Sequence, residues 1–365
     1  MRVFLIIILI ISSFASIWAQ ESLQDVQQTR IFSLSSYYQT WDIADNRSVD
    51  EISTPVFLYL PFGYNFNLSL HANRANVSGD DVPGIGSFTD TQLMLTYHIE
   101  KANLFLSLGI NLPSGKKELT VDEFISSSLI SYSVFRFRVP NFGEGFGFAP
   151  GITWAIPLSD NVVAGLGATY QRRNAFKPLA VFPGEYEPGD EMLATAGMDF
   201  RLTPTATLST DLTFSSYRAD KIAGFEIFNS GNKLTFNLQF RKFFDFNELW
   251  FFASHRSRAK NQLVQAGALV EESEKTTPNQ FEFMAHYRMR FRRNLHFRIL
   301  AEGRFFEETS SPFSGAKLLG LGIMPEIAVS RLLTIPVRLM LYSGSLLNET
   351  DLSGFEVSIG TELRF

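Results

Sequence analysis

Phe355-Glu356-Val357-Ser358-Ile359-Gly360-Thr361-Glu362-Leu363-Arg364-Phe365 is the stretch that decides the fold. Its odd positions are Phe355, Val357, Ile359, Thr361, Leu363 and Phe365, and its even positions are Glu356, Ser358, Gly360, Glu362 and Arg364. Successive side chains of a strand point to opposite faces. Extended, these residues therefore make a ribbon with one oily face and one charged face.

The same alternation recurs upstream. Leu104, Leu106, Leu108, Ile110 and Leu112 alternate with Asn103, Phe105, Ser107, Gly109 and Asn111. Leu234, Phe236, Leu238 and Phe240 alternate with Lys233, Thr235, Asn237, Gln239 and Arg241. Phe281, Phe283, Ala285, Tyr287, Met289 and Phe291 oppose Gln280, Glu282, Met284, His286, Arg288 and Arg290. Strands are expected near 30–41, 54–61, 64–73, 89–99, 103–112, 145–157, 161–172, 191–202, 206–217, 232–243, 247–257, 280–291, 294–306, 318–330, 334–342 and 353–365. Short turns, as at Glu100–Ala102 and Arg292–Asn294, take turns with long polar stretches at 42–53, 74–88, 113–143, 173–190, 218–231, 258–279, 307–317 and 343–352. Alternating ten-residue segments with short turns at one end and long loops at the other describe an all-β, transmembrane, antiparallel up-and-down barrel. The spacing gives about sixteen strands, or fourteen if residues 22–60 form a plug.

A soluble β-sandwich also alternates. Its dry core, however, would have to accept the Arg, Lys, Glu and Asp of the polar faces, which is costly without pairing. The chain's 45% hydrophobic and 19% charged residues exclude disorder, and its lack of Cys excludes disulfide frameworks, thiolate metal sites and a Cys nucleophile. With 32 basic against 37 acidic residues there is no excess charge for gripping nucleic acid. Arg2, the apolar run Val3–Ile11 and the small residues beyond it read as a secretory signal peptide over 1–19, leaving one barrel domain over 20–365.

Two resemblances extend this reading. The terminal aromatic and its apolar alternates Phe355, Val357, Ile359, Leu363 and Phe365 resemble the insertion signal of bacterial outer-membrane proteins. That resemblance implies a Gram-negative outer membrane, delivery by the barrel-assembly machinery, and a lipid and lipopolysaccharide surround. The stretch Gly84-Ile85-Gly86-Ser87-Phe88-Thr89-Asp90-Thr91-Gln92-Leu93, followed by Gly109-Ile110-Asn111-Leu112-Pro113-Ser114-Gly115, is similar to outer-membrane barrels associated with phenol meta-cleavage pathways, themselves related to long-chain fatty-acid transporters. It covers some thirty of the 365 residues and implies passage of hydrophobic or aromatic compounds. No N-terminal motif of the fatty-acid transporters matches residue by residue.

The polar half of each strand is the expected lining of the lumen: Lys233, Arg241, Glu282, Arg288, Arg290, Arg298, Glu302, Arg304, Glu326, Arg338 and Glu356. A tight turn at Arg292–Asn294 sets Arg288 against Arg298 and Glu282 against Arg304. Pairing Phe305 with Leu319, and Val329 with Ile335, then predicts a row Arg288–Arg298–Glu326–Arg338. Such a row either biases a pore toward anions or simply lines a wet wall. In the 113–143 loop, Tyr132, Phe135, Arg136, Phe137 and Arg138 are the candidate constriction; the segment either folds inward or extends the neighbouring strands.

No motif supports catalysis, a metal or a cofactor. The five His all fall within predicted strands, and His255 comes nearest the rim where a lipase- or protease-like site would sit. The expected function is passive passage of small hydrophobic or aromatic solutes. The alternatives are a closed structural or adhesive barrel and, more distantly, an outer-membrane hydrolase.

Overall fold

The computed structural model describes residues 29–43, 47–80, 82–182, 184–311, 313–347 and 350–365; the predicted leader over 1–19 lies outside them. In chain order the strands are β1 (Ile31–Ile43), β2 (Arg47–Phe62), β3 (Phe66–Gly79), β4 (Val82–Phe88), β5 (Thr91–Ile99), β6 (Leu104–Leu112), β7 (Gly147–Ser159), β8 (Val162–Arg173), β9 (Tyr186–Glu187), β10 (Glu191–Thr203) and β11 (Ala206–Tyr217). They continue as β12 (Asp220–Ile222), β13 (Phe225–Asn229), β14 (Lys233–Phe244), β15 (Asn247–Arg258), β16 (Gln262–Gln265), β17 (Ala268–Glu271), β18 (Gln280–Arg292), β19 (Leu295–Phe306), β20 (Lys317–Ala328), β21 (Leu333–Ser345) and β22 (Asp351–Arg364). One helix, α1 (Val121–Ile130), lies between β6 and β7.

Taking β4 and β5 as the two halves of one strand, sixteen antiparallel strands close into a barrel. Closure is made by the first and last strands, with Ile31 opposite Arg364 and Ile43 opposite Leu352. The backbones of Arg30 and Phe365 add two hydrogen bonds of 2.9 and 3.0 Å at the seam. A closed ring pairs its backbone groups internally, which is what a strand needs inside lipid.

The faces sort as the alternation requires. Leu321, Leu341 and Phe355 lie side by side on the outside of β20, β21 and β22. Leu321 and Leu341 are 68% and 66% exposed. In water each would forgo about 1–2 kcal/mol of burial; against acyl chains neither does. Such contiguous exposed apolar surface marks a membrane-facing wall.

Four expectations are corrected. The fourteen-strand alternative fails, because β1 and β2 are wall strands paired from Ile31–Tyr59 to Ile43–Arg47 and no N-terminal plug forms from them. The loops expected at 42–53 and 74–88 are mostly strand: β2 starts at Arg47, and β3 and β4 pair as Asn76–Gly86 and Val77–Ile85. Outward positions there include Ser48, Asp50, Arg74 and Asn76, interrupted only by Ile52 and Phe88, so the oily alternation fades although the ladder continues. Third, the stretches expected as external turns or loops carry β9, β12, β13, β16 and β17, a separate five-stranded sheet at the long-loop end. Its hairpins turn on Ala223-Gly224 and Ala266-Gly267, each pair at φ of 50° and 84°, the left-handed geometry that two-residue hairpins require. Fourth, β20 pairs Phe305 with Lys317 and Ile327 with Ile335, two residues off the expected register on each side. A slip of two keeps every side chain on its face and changes only its partner.

Candidate channel interior

The connection from β6 to β7 enters the barrel, so the strand-extension alternative is set aside. It begins with α1, whose start is fixed by a reciprocal cap: Thr120 Oγ1 accepts from Glu123 N, and the Glu123 carboxylate accepts from Thr120 N at 3.0 Å. Lys116 also pairs with Glu123 and holds its carboxyl below the usual range. Beyond the helix, Ile130, Val134, Phe135, Val139 and Phe142 are buried with Trp41, Val77, Leu318, Met340 and Tyr342 of the wall. The Phe135 ring lies 6.0 Å from that of Trp41 and 5.1 Å from that of Phe313; Tyr132 stands 4.6 Å from Phe313, and Phe137 5.8 Å from Phe135.

Wall side chains also pin the segment's backbone. Gln39 Nε2 donates to Phe135 O at 2.8 Å, and Arg304 Nη1 donates to Val134 O. The two Glu51 oxygens accept from the amides of Arg138 and Val139, each at 3.1 Å. The charges then interlock. Arg136 Nη1 lies 3.2 Å from Glu302 and 3.8 Å from Glu282; Arg138 Nη2 lies 2.8 Å from Glu356; Arg338 Nε lies 3.0 Å from Glu356; and Arg304 Nε lies 3.0 Å from Glu302. Arg136, Arg138, Arg304 and Arg338 meet the carboxylates of Glu282, Glu302 and Glu356, while Glu51 meets the segment through two of its backbone amides. Buried charges persist only when paired this closely.

The predicted row is therefore split. Arg288 does face Arg298, and Glu282 does face Arg304. Glu326 bridges the two like charges, with Arg288 Nε at 2.8 Å and Arg298 Nη2 at 2.7 Å. Glu326 sits beside His296 rather than opposite Arg298, and Arg338 belongs to the Glu302–Glu356 cluster. Near the short-turn end, Arg241 Nε lies 2.7 Å from Glu248, and Trp250 stacks on His286 at 5.1 Å. The Arg290 guanidinium lies 4.7 Å from the Phe246 ring. Lys233 meets Glu191 at 3.3 Å, both 3% exposed. Arg338 is thus met by Glu356, while Arg288 and Arg298 share Glu326.

The inward segment touches β1 to β4 and β18 to β22. The opposite arc, β5 to β15, borders a cavity of about 250 Å³ instead. Its wall is built from small residues, among them Thr153, Gly165, Gly167, Thr195 and Gly197, with Met94, Phe105 and Phe252 between them. The sequence reading missed this arc because small residues carry no charge or motif. The available signal was their alternation: Gly165, Gly167 and Thr169 occupy the inward positions of β8, where β18 places Met284, His286 and Arg288.

His255 pairs with the outward Phe236 and Phe281 and so points away from the interior. The rim site for a hydrolase is not assembled around it. Among the described residues no group of three His, Asp or Glu is arranged to hold a metal ion.

With this geometry in view, the chain can be set beside known proteins. It shares 10% identity with Pseudomonas putida OprB, over 93% of this chain and 95% of that one, at a TM-score of 0.50. The fold is that of an outer-membrane barrel. CdiB from Acinetobacter baumannii matches at 10% identity and a TM-score of 0.51, over 91% of this chain and 60% of CdiB. Pseudomonas aeruginosa OpdQ matches at 11% identity and 0.46, over 92% and 99% of the two chains. No protein-family model matches, and no curated protein matches by sequence.

Proposed function

We propose that this protein is a passive channel of the bacterial outer membrane for small solutes with hydrophobic or aromatic bodies. The partition of the interior carries this reading: the segment after α1 fills one arc of the lumen and leaves a cavity along the other. A cavity of about 250 Å³ exceeds the roughly 150 Å³ that accommodates benzene in an engineered protein core, so a substituted ring has room. The segment's Tyr132, Phe135, Arg136, Phe137 and Arg138 act as the constriction, and Arg241, Arg288, Arg298 and Glu326 line the wet wall on the way to the short-turn end. The oily exterior would meet lipid and lipopolysaccharide, with insertion through the barrel-assembly machinery.

Planar-bilayer recording and uptake by proteoliposomes test the proposal. Measurable conductance, together with uptake of small aromatic solutes, is expected. Zero conductance and zero uptake would favour the second reading, a closed barrel working through its long loops. The packed cluster around Trp41 and Phe135, and the five-stranded sheet beyond the barrel, give that reading its support.

A further inference from the structure

The small-residue arc carries two carboxylates that the ion-pair network leaves out. Asp199 on β10 and Asp211 on β11 lie diagonally across the ladder, with Asp199 opposite Ser209 and Gly197 opposite Asp211. Both border the cavity. The interior acids Glu191, Glu248, Glu282, Glu302, Glu326 and Glu356 each have a basic side chain within 2.7–3.8 Å. Among the described residues Asp199 and Asp211 have none; Asp199 has the Ser209 hydroxyl beside it and Asp211 has Asn237.

Asn237 supplies an independent sign. It is opposite Asp211 in the register, and its Nδ2 donates to Asp211 Oδ1 at 2.8 Å. That bond fixes the amide so that Oδ1 is the free end. The residue is 2% exposed, it borders the same cavity, and its Oδ1 has no hydrogen-bond partner. Buried acceptors are normally satisfied, yet this corner of the cavity offers an amide oxygen that meets no donor, beside two carboxylates that meet only neutral donors and no cation.

We infer that this corner is a binding subsite for a primary ammonium carried on a small apolar body. An ammonium group brings three donors and no acceptor, which matches the three acceptors in number and offsets one of the two negative charges. A divalent metal suits the corner less well, because no three acidic or imidazole ligands converge. The apolar body finds Met94, Phe105 and Phe252 on the same cavity wall. The inference deepens the channel proposal by naming a solute class, but binding in detergent does not require that solutes cross.

The test is calorimetry on the full chain in detergent micelles at fixed ionic strength, with phenethylammonium, the neutral 2-phenylethanol and phenylacetate as probes. Phenethylammonium should bind at least about tenfold more tightly than the alcohol, the scale expected for one charge-assisted contact set. Phenylacetate should bind more weakly than either. In the Asp199→Asn/Asp211→Asn variant the ammonium should fall to the alcohol's affinity while the alcohol is unchanged. Equal binding of ammonium and alcohol to the wild type, or undiminished ammonium binding by the variant, would overturn the inference. If the double variant does not fold, as judged by heat-modifiable gel mobility, Asn237→Leu replaces it. That variant should lose several-fold in ammonium affinity and none for the alcohol, and equal affinities would again count against the site. Absence of conductance with intact ammonium binding would sink the channel reading and leave this one standing.

Discussion

Replacing Phe135 by Ala tests the inward segment directly. Phe135 is fully buried, with its ring against Trp41, Phe137 and Phe313. Truncating a buried Phe to Ala costs about 3–5 kcal/mol. Phe135 belongs to the segment and not to the wall, so the loss falls on docking, and the ladder from β1 to β22 keeps its hydrogen bonds. At about 1.4 kcal/mol per decade this moves the docked–undocked equilibrium by roughly 10²- to 10⁴-fold. Planar-bilayer recording should show more frequent or larger openings. Limited proteolysis should cut within 131–142 sooner, while heat-modifiable mobility stays that of the wild type. A variant whose conductance and cleavage pattern both equal the wild type's would refute the claim that this segment obstructs the lumen.

Further outcomes follow from the same geometry. A Cβ on Gly165 would meet nothing within 4 Å, so Gly165→Phe should fill the cavity without strain, cutting conductance and solute uptake while denaturant midpoints hold. Leu321→Arg on the outer face should lower stability in lipid vesicles by about 2–4 kcal/mol at mid-membrane depth, measured by guanidinium unfolding; no change would place that face out of lipid. Glu123 titrates below its ordinary range because Lys116 hydrogen-bonds to it. A depressed carboxyl contributes stability that is complete above the unfolded value near about 4.3 and is lost as pH falls through the folded one. Hydrogen-exchange protection at the start of α1, taken relative to the intrinsic rate at each pH, should therefore be full at neutral pH and fall below about pH 4, and Lys116→Met should remove most of that pH dependence.

Much of the wall is legible in the order of residues. The tight turn at Arg292–Asn294 gave the right partners for Arg288 and Glu282, because a two-strand hairpin is a local object whose register its turn fixes. Across the longer 307–316 connection the same reasoning slipped by two residues and misplaced Glu326 against Arg298, and a second slip of two at the turn between β20 and β21 misplaced Arg338. The segment after β6 was the larger gap. Arg136 reaches Glu302 across 166 residues of chain, and Arg138 reaches Glu356 across 218. The free corner at Asp199, Asp211 and Asn237 was invisible for a different reason: each residue alone looks like ordinary lumen wall, and only the ion pairs made by Glu191, Glu248, Glu282, Glu302, Glu326 and Glu356 set these apart.

By itself, the order of residues determined the period of two, and with it which side chains meet lipid and which stay inside, because facing depends only on parity along a strand. Tertiary structure alone decided which inward charges meet, where the segment after α1 lies and which arc of the lumen stays empty. Those outcomes depend on closure of the sheet between β1 and β22, which brings together groups that no local rule relates.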